Sequence, residues 1–133
     1  MNEILDLIQT ILDSILSEEG IRCYWGRRAE DDQSNPTEYV IYEIRSDSAD
    51  VSADGDVMTR MASIGLQYYV KFKVARTYAG RQKALARMDD IMKAMRAEGF
   101  GCSTGWFELG DVDDAGFATF RSEYEIPHFM ENE

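Results

Sequence analysis

Apolar residues recur at spacings of three and four through the start of the chain. Ile4, Leu5, Ile8, Ile11, Leu12, Ile15 and Leu16 stack on one face at 3.6 residues per turn, which predicts an amphipathic helix over residues 2–19. Gly20 stands where a helix takes a left-handed terminator. Ile21, Cys23 and Trp25 then alternate with Arg22 and Tyr24, a short strand. Residues 26–37 are polar, with Gly26, Asn35 and Pro36, and read as a loop. Val40, Tyr42 and Ile44 alternate with Tyr39, Ile41 and Glu43, a second strand whose outer face is only partly polar.

The clearest pattern follows an acidic loop at 46–57. Ile64, Leu66, Tyr68, Val70, Phe72 and Val74 alternate with Ser63, Gly65, Gln67, Tyr69, Lys71 and Lys73. Period two over a dozen residues predicts a long strand over 62–75 with one buried and one wet face. Helical spacing returns at 78–98, with Leu85, Met88, Ile91, Met92 and Met95 on one side and Gly99 past the end. Strands near 101–109 and 117–126 flank a turn at 111–116, and Pro127 is expected to stop the last. The predicted order, α-β-β-β-α-β-β, describes one α+β domain over residues 1–133. Its antiparallel sheet carries both helices on one face.

Length and composition agree with that. A chain of 133 residues, 44% of them hydrophobic, fits one globular domain. The formal net charge of −11 disfavours sequence-unspecific nucleic-acid binding and anionic membranes, since both need Lys and Arg. The N-terminus carries acid where a signal peptide carries base, and no run reaches the ~20 apolar residues of a membrane span. The expectation is a soluble, intracellular protein. Cys23 and Cys102 are too few for a disulfide framework; two half-buried thiols are expected, with a single bridge as the alternative.

Charge is unevenly distributed. Residues 71–96 hold eight bases and two acids, a local +6 that leaves −17 on the rest. Residues 1–20 carry five acids and no base. Solvated faces explain any single charge. Self-complementarity between copies explains the arrangement, and its candidate interface sets Lys71, Lys73, Arg81 and Arg87 against Asp47, Asp50, Asp54, Asp56, Asp111, Asp113 and Asp114.

The chemical motifs are weak. Gly101-Cys-Ser103-Thr-Gly105 matches G-x-S-x-G with His128 downstream, but a nucleophile elbow follows a strand and opens a helix, the reverse of the order here. Asp50 to Asp56 resembles the first half of a calcium loop, yet the twelfth position is Met61 instead of glutamate. Asp111, Asp113 and Asp114 fail likewise, and one His with two separated Cys does not make a zinc site. No catalytic residue, metal site or cofactor is expected. Met88, Met92 and Met95 read as core. Trp106 and Phe107 are adjacent, so one should point outward as a contact.

Taken together, the N-terminal amphipathic helix, the strand Tyr39-Val-Ile-Tyr-Glu-Ile44, the Tyr-rich strand 62–75, the helix directly after it and the closing hairpin form a recognisable sequence of elements. With its aromatic, acidic last strand, Phe120-Arg-Ser-Glu-Tyr-Glu-Ile-Pro127, the chain resembles the tail terminator (tail-completion) proteins of long-tailed bacteriophages and prophages. The resemblance covers essentially the full length and rests on element order and texture, because that family has no invariant catalytic motif. It implies a non-enzymatic structural role. A ring, typically of six copies, would cap the tail tube, stop its polymerisation and join it to the head connector. The implied partners are further copies of the chain, the tail tube protein and the head-tail connector protein, with DNA only in passage and no membrane. The implied place is the host cytoplasm during assembly and then the virion tail. Surplus negative charge suits a channel that DNA crosses without sticking. Loops 26–37 and 46–57 would be mobile until docked. The alternatives are a phage head-completion (neck) protein, a small α+β binding module and, least favoured, a Ser103 hydrolase.

Overall fold

Helix α1 spans Asn2–Leu16 and tightens into one 3-10 turn, Ser17–Glu19. Gly20 then reverses the chain at φ +74, a conformation that costs glycine nothing and other residues a Cβ clash. A computed structural model describes residues 2–26, 37–51, 57–110 and 116–129. Within it Ile4, Ile8, Ile11, Leu12 and Leu16 are buried, as their spacing predicts.

Five strands follow: β1 (Arg22–Trp25), β2 (Glu38–Val51), β3 (Val57–Lys71), β4 (Gly101–Glu108) and β5 (Phe117–Phe129). They form one sheet in the order β1-β2-β3-β5-β4. Helices α2 (Phe72–Ala75) and α3 (Tyr78–Ala97) stand between β3 and β4. The observed architecture is a single α+β domain, as the patterning predicts. Ala62, Ile64, Leu66, Tyr68 and Val70 of β3 alternate into the core and meet Val40 and Tyr42 of β2 and Phe120 and Tyr124 of β5. Ile8, Leu12, Met88, Ile91 and Met95 cover that layer from α1 and α3.

Five local expectations are corrected. The sheet is not wholly antiparallel: β1 pairs with β2 in parallel, Cys23 beside Val40 and Trp25 beside Tyr42. Twelve residues, 26–37, separate the two strands, which is the length a parallel crossover requires and more than a hairpin uses. Residues 46–51 are not loop but the continuation of β2, paired along β3 as far as Val51 opposite Val57. A bulge between Ile44 and Ser46 shifts the register, so the alternation that marks a strand is lost where it begins. Residues 27–36 of the other expected loop lie outside the described residues.

The long strand ends at Lys71, not at residue 75. Its neighbours run out there, β2 starting at Glu38 opposite Val70 and β5 at Phe117 opposite Lys71. With no ladder partner the chain satisfies its backbone in the single turn α2, and Phe72, expected inside, is exposed. Pro127 does not stop β5, which pairs with β3 to Phe129. The β4 pairing ends opposite Glu125, so beyond that point β5 has a neighbour on one side only, where a strand tolerates proline. On α3, finally, Leu85 is 54% exposed, and the buried stripe is Ala84, Met88, Ile91 and Met95. The Thr77 hydroxyl starts this helix by accepting from the Gly80 N–H at 3.0 Å.

Candidate functional site

The expected assembly surface divides into groups that the fold uses internally and groups it leaves outside. Arg87 belongs to the first kind. Its Nε donates to both oxygens of Glu38, at 3.1 and 3.0 Å, and its Nη2 reaches Glu19 at 3.4 Å. The Tyr68 hydroxyl donates to the same Glu38 carboxylate, and burial followed by that hydrogen bond pushes its pKa up. The cluster ties α3 to β2 and β3, so Arg87 acts as a clamp within the domain. Arg81 is held less tightly, at 3.1 Å from Glu108, with both side chains about half exposed. Lys71 places its Nζ 4.4 Å from the centre of the Phe117 ring. Lys73 is an exposed residue of α2, not of a strand.

Of the acidic candidates, Asp47 and Asp50 lie in β2, opposite Ala62 and Thr59. Asp54, Asp56, Asp111, Asp113 and Asp114 lie outside the described residues. Six of the eleven candidates, Lys71, Lys73, Arg81, Arg87, Asp47 and Asp50, are thus among the described residues.

The structure separates charge across the domain. Helix α1 lies against the edge strand β1, and α3 against the opposite edge strand β4. Residues 2–19 bear five acids and no base, whereas residues 72–97 bear seven bases and two acids. An acidic helix thus lies over one edge strand and a basic helix over the other. Trp25 is 63% exposed on the first of these strands; Tyr78 and Leu85 are exposed on the basic helix. The Tyr42 hydroxyl, which donates to Gln9 at 2.6 Å, is pushed up by burial first and then by the charges of Cys23, Asp13 and Asp6. Tyr42 is also the register partner of Trp25. A recess of about 400 Å³ opens between α1 and β1, with Ile21, Arg22, Cys23 and Tyr24 along one side and Asp13 and Ser17 along the other.

The second sheet face carries a network that alternation alone hides. Tyr39 and Tyr69 stack at 4.6 Å, and Tyr24 and Phe117 meet Tyr39 edge-on at 6.1 and 5.1 Å. The Tyr69 hydroxyl accepts from Gln67, whose side-chain oxygen accepts from Arg121 Nη1, both at 2.8 Å. Arg121 continues to Glu123 at 3.1 Å and Glu43 at 3.3 Å, and Arg45 reaches Glu123 at 2.8 Å. The signal for it was the tyrosines at wet strand positions.

The remaining chemical candidates do not converge. Ser103 is exposed within strand β4, near Tyr124 of the neighbouring strand. His128 lies four residues farther along β5, roughly 13 Å of extended chain. Cys23 and Cys102 are free and sit on opposite edge strands, about 19 Å apart by strand spacing, so one chain cannot bridge them. Burial, with Asp13 adding to it, pushes the Cys23 thiol up to about 12. Trp106 packs inward, its Nε1 donating to the Met88 carbonyl at 2.9 Å, while Phe107 points out as expected. Among the described residues no helix is long and apolar enough to cross a membrane, and no three His, Cys, Asp or Glu side chains cluster as metal ligands.

No protein-family model matches the chain, and no curated protein matches it. Among chains of solved structure that match, one aligns over 97% of this chain and 97% of its own, with a TM-score of 0.47 and 12% sequence identity.

Proposed function

We propose that this chain is a structural subunit of a phage tail, a terminator that closes into a ring, caps the tail tube and joins it to the head connector. The observation that carries the reading is the separation of charge between the acidic helix α1 and the basic helix α3, which lie over opposite edge strands. Unlike, complementary ends favour head-to-tail contacts, and such contacts close into rings when the rotation between copies permits. The proposed setting is the host cytoplasm during assembly and the virion tail afterwards, without cofactor or chemistry.

Six copies would carry −66 formal charges, so long-range repulsion opposes closure at low salt. Screening shortens that repulsion to roughly 8–10 Å at 0.10–0.15 M salt, while close opposite pairs survive. Sedimentation velocity over a salt series should therefore show mostly monomer in dilute low-salt buffer and larger species at moderate salt. Negative-stain images should show rings with a central hole, seated on the ends of tail tubes. A monomer at every salt, without rings even beside tail-tube protein, would sink the proposal. Rings that bind connector but not tube would favour the neck-protein alternative.

A further inference from the structure

We infer that the corner between α2 and α3 receives residues 129–133 of a second copy of this chain, Met130 meeting Phe72 and Tyr78 while Glu131 and Glu133 meet Lys73 and Arg76. The inference deepens the ring reading and rests on it for closure.

The early end of β3 makes the corner. Phe72, Lys73 and Arg76 lie on the outside of the single turn α2, and Ala75 is buried beneath them. The Phe72 N–H donates to the Gly116 carbonyl at 2.9 Å, which fixes α2 at the mouth of β5. Thr77 then caps α3, whose first residue, Tyr78, is 79% exposed. Arg81 and Leu85 continue the Tyr78 face at spacings of three and four. Arg81 is already held by Glu108 at 3.1 Å, whereas neither Lys73 nor Arg76 makes an ion pair with a described residue. Two uncommitted cations therefore border exposed aromatic rings. An acidic segment with an apolar anchor fits both, the anchor desolvated on the rings and the charges at the margin setting the partner.

Residues 129–133 have that composition: Phe129 and Met130, then Glu131 and Glu133, with no base. Methionine adapts to irregular apolar surface and packs well against aromatic rings. The acidic helix α1 is no competitor, because its apolar face is committed to the core. Strand β5 carries the segment away from its own corner. Phe117 pairs with Lys71 beside the corner and Phe129 pairs with Thr59, an unbroken register that spans roughly 40 Å. Residues 130–133 lie within about 14 Å of Phe129, however the chain runs. Even Leu85, about 10 Å along α3 from Tyr78, is out of their range. The occupant therefore comes from a second copy. A corner at one end of the sheet and its filler at the other make the contact head-to-tail, the kind that closes into rings.

Charge reversal with rescue tests it. Glu131→Lys with Glu133→Lys inverts the segment, which lies beyond the described residues; Lys73→Glu with Arg76→Glu inverts the corner, where both side chains are exposed. Circular dichroism melts should confirm both folds. Each variant alone should lose self-association at least tenfold by sedimentation velocity. An equimolar mixture should recover it, since each variant then offers the charge the other needs. The segment variant also separates contact from bulk charge. Its two reversals lower the net charge from −11 to −7, which by repulsion alone would favour assembly. Phe72→Ala with Tyr78→Ala, and removal of residues 130–133, should each weaken association at every salt concentration. A segment variant that associates as well as the parent, or a mixture without rescue, overturns this contact and leaves the ring reading standing. A parent that never associates removes both.

Discussion

The Arg87 side chain holds both carboxylate oxygens of Glu38 through one nitrogen, at 3.1 and 3.0 Å, from a position only 11% exposed. The pair lies forty-nine residues apart in sequence and joins the longest helix to the start of β2. Its loss should be felt as stability and not as assembly. Glu38→Gln leaves a largely buried cation with only the longer, more exposed contact to Glu19 and should cost about 3 kcal/mol, the low end for a broken buried pair. Urea unfolding of Glu38→Gln, Arg87→Met and the double variant should show the double costing clearly less than the two singles together.

Gly65 leaves the space that the Arg121 guanidinium fills. A Cβ at position 65 would stand 3.1 Å from the Arg121 Cζ, and closer still to Nη2. Gly65→Ala should therefore lift the guanidinium off Gln67, Glu43 and Glu123 and cost about 1–3 kcal/mol, although alanine otherwise suits a strand better. In Arg121→Ala the same substitution should cost far less. Equal costs in both backgrounds, measured by chemical unfolding, would remove Arg121 as the reason for the glycine.

Leu85→Ala should change stability by no more than about 0.5 kcal/mol, while Ile91→Ala on the same helix should cost about 2–5 kcal/mol. The contrast marks where the sequence misleads. Hydrophobicity selects Leu85 for the inner stripe, but that stripe passes through Ala84, one position away and a hundred degrees around the helix. A small residue under a packed layer has little weight in any periodicity. The same helix is otherwise legible, with Met88, Ile91 and Met95 buried and Gly99 at φ +96 after it. Elements with steady alternation, above all residues 62–71, were readable from pattern. The β2 extension at 46–51 was not, because serine and aspartate there gain their strand conformation from pairing with β3 and not from intrinsic preference. Nor was the Tyr39–Tyr69 stack, which depends on hairpin register. Five of the seven expected assembly acids lie outside the described residues, whereas the charge separation across the domain depends on α1 and α3 lying over opposite strands.

Cys23 should be nearly inert in the folded protein. At pH 8 a thiol of ordinary pKa is roughly one-tenth thiolate, and one at about 12 roughly one ten-thousandth. Peptide-resolved alkylation should therefore be up to about a thousandfold slower at Cys23 in buffer than in urea. The sign for stability follows. The folded state keeps the proton longer, so this contribution is whole below pH 9.0 and is lost as pH rises from there towards 12. Equal labelling rates in buffer and urea would contradict the burial of this thiol.

The strand order also governs timing. Ile64 of β3 pairs with Tyr124 of β5, so the middle of the sheet waits sixty residues for its second neighbour. Long separations of this kind slow folding and leave a strand edge open in the interval. β4 pairs with β5 alone and is synthesised before it. The basic end, where α3 meets β4, therefore cannot take its final form on a nascent chain until the last strand has docked.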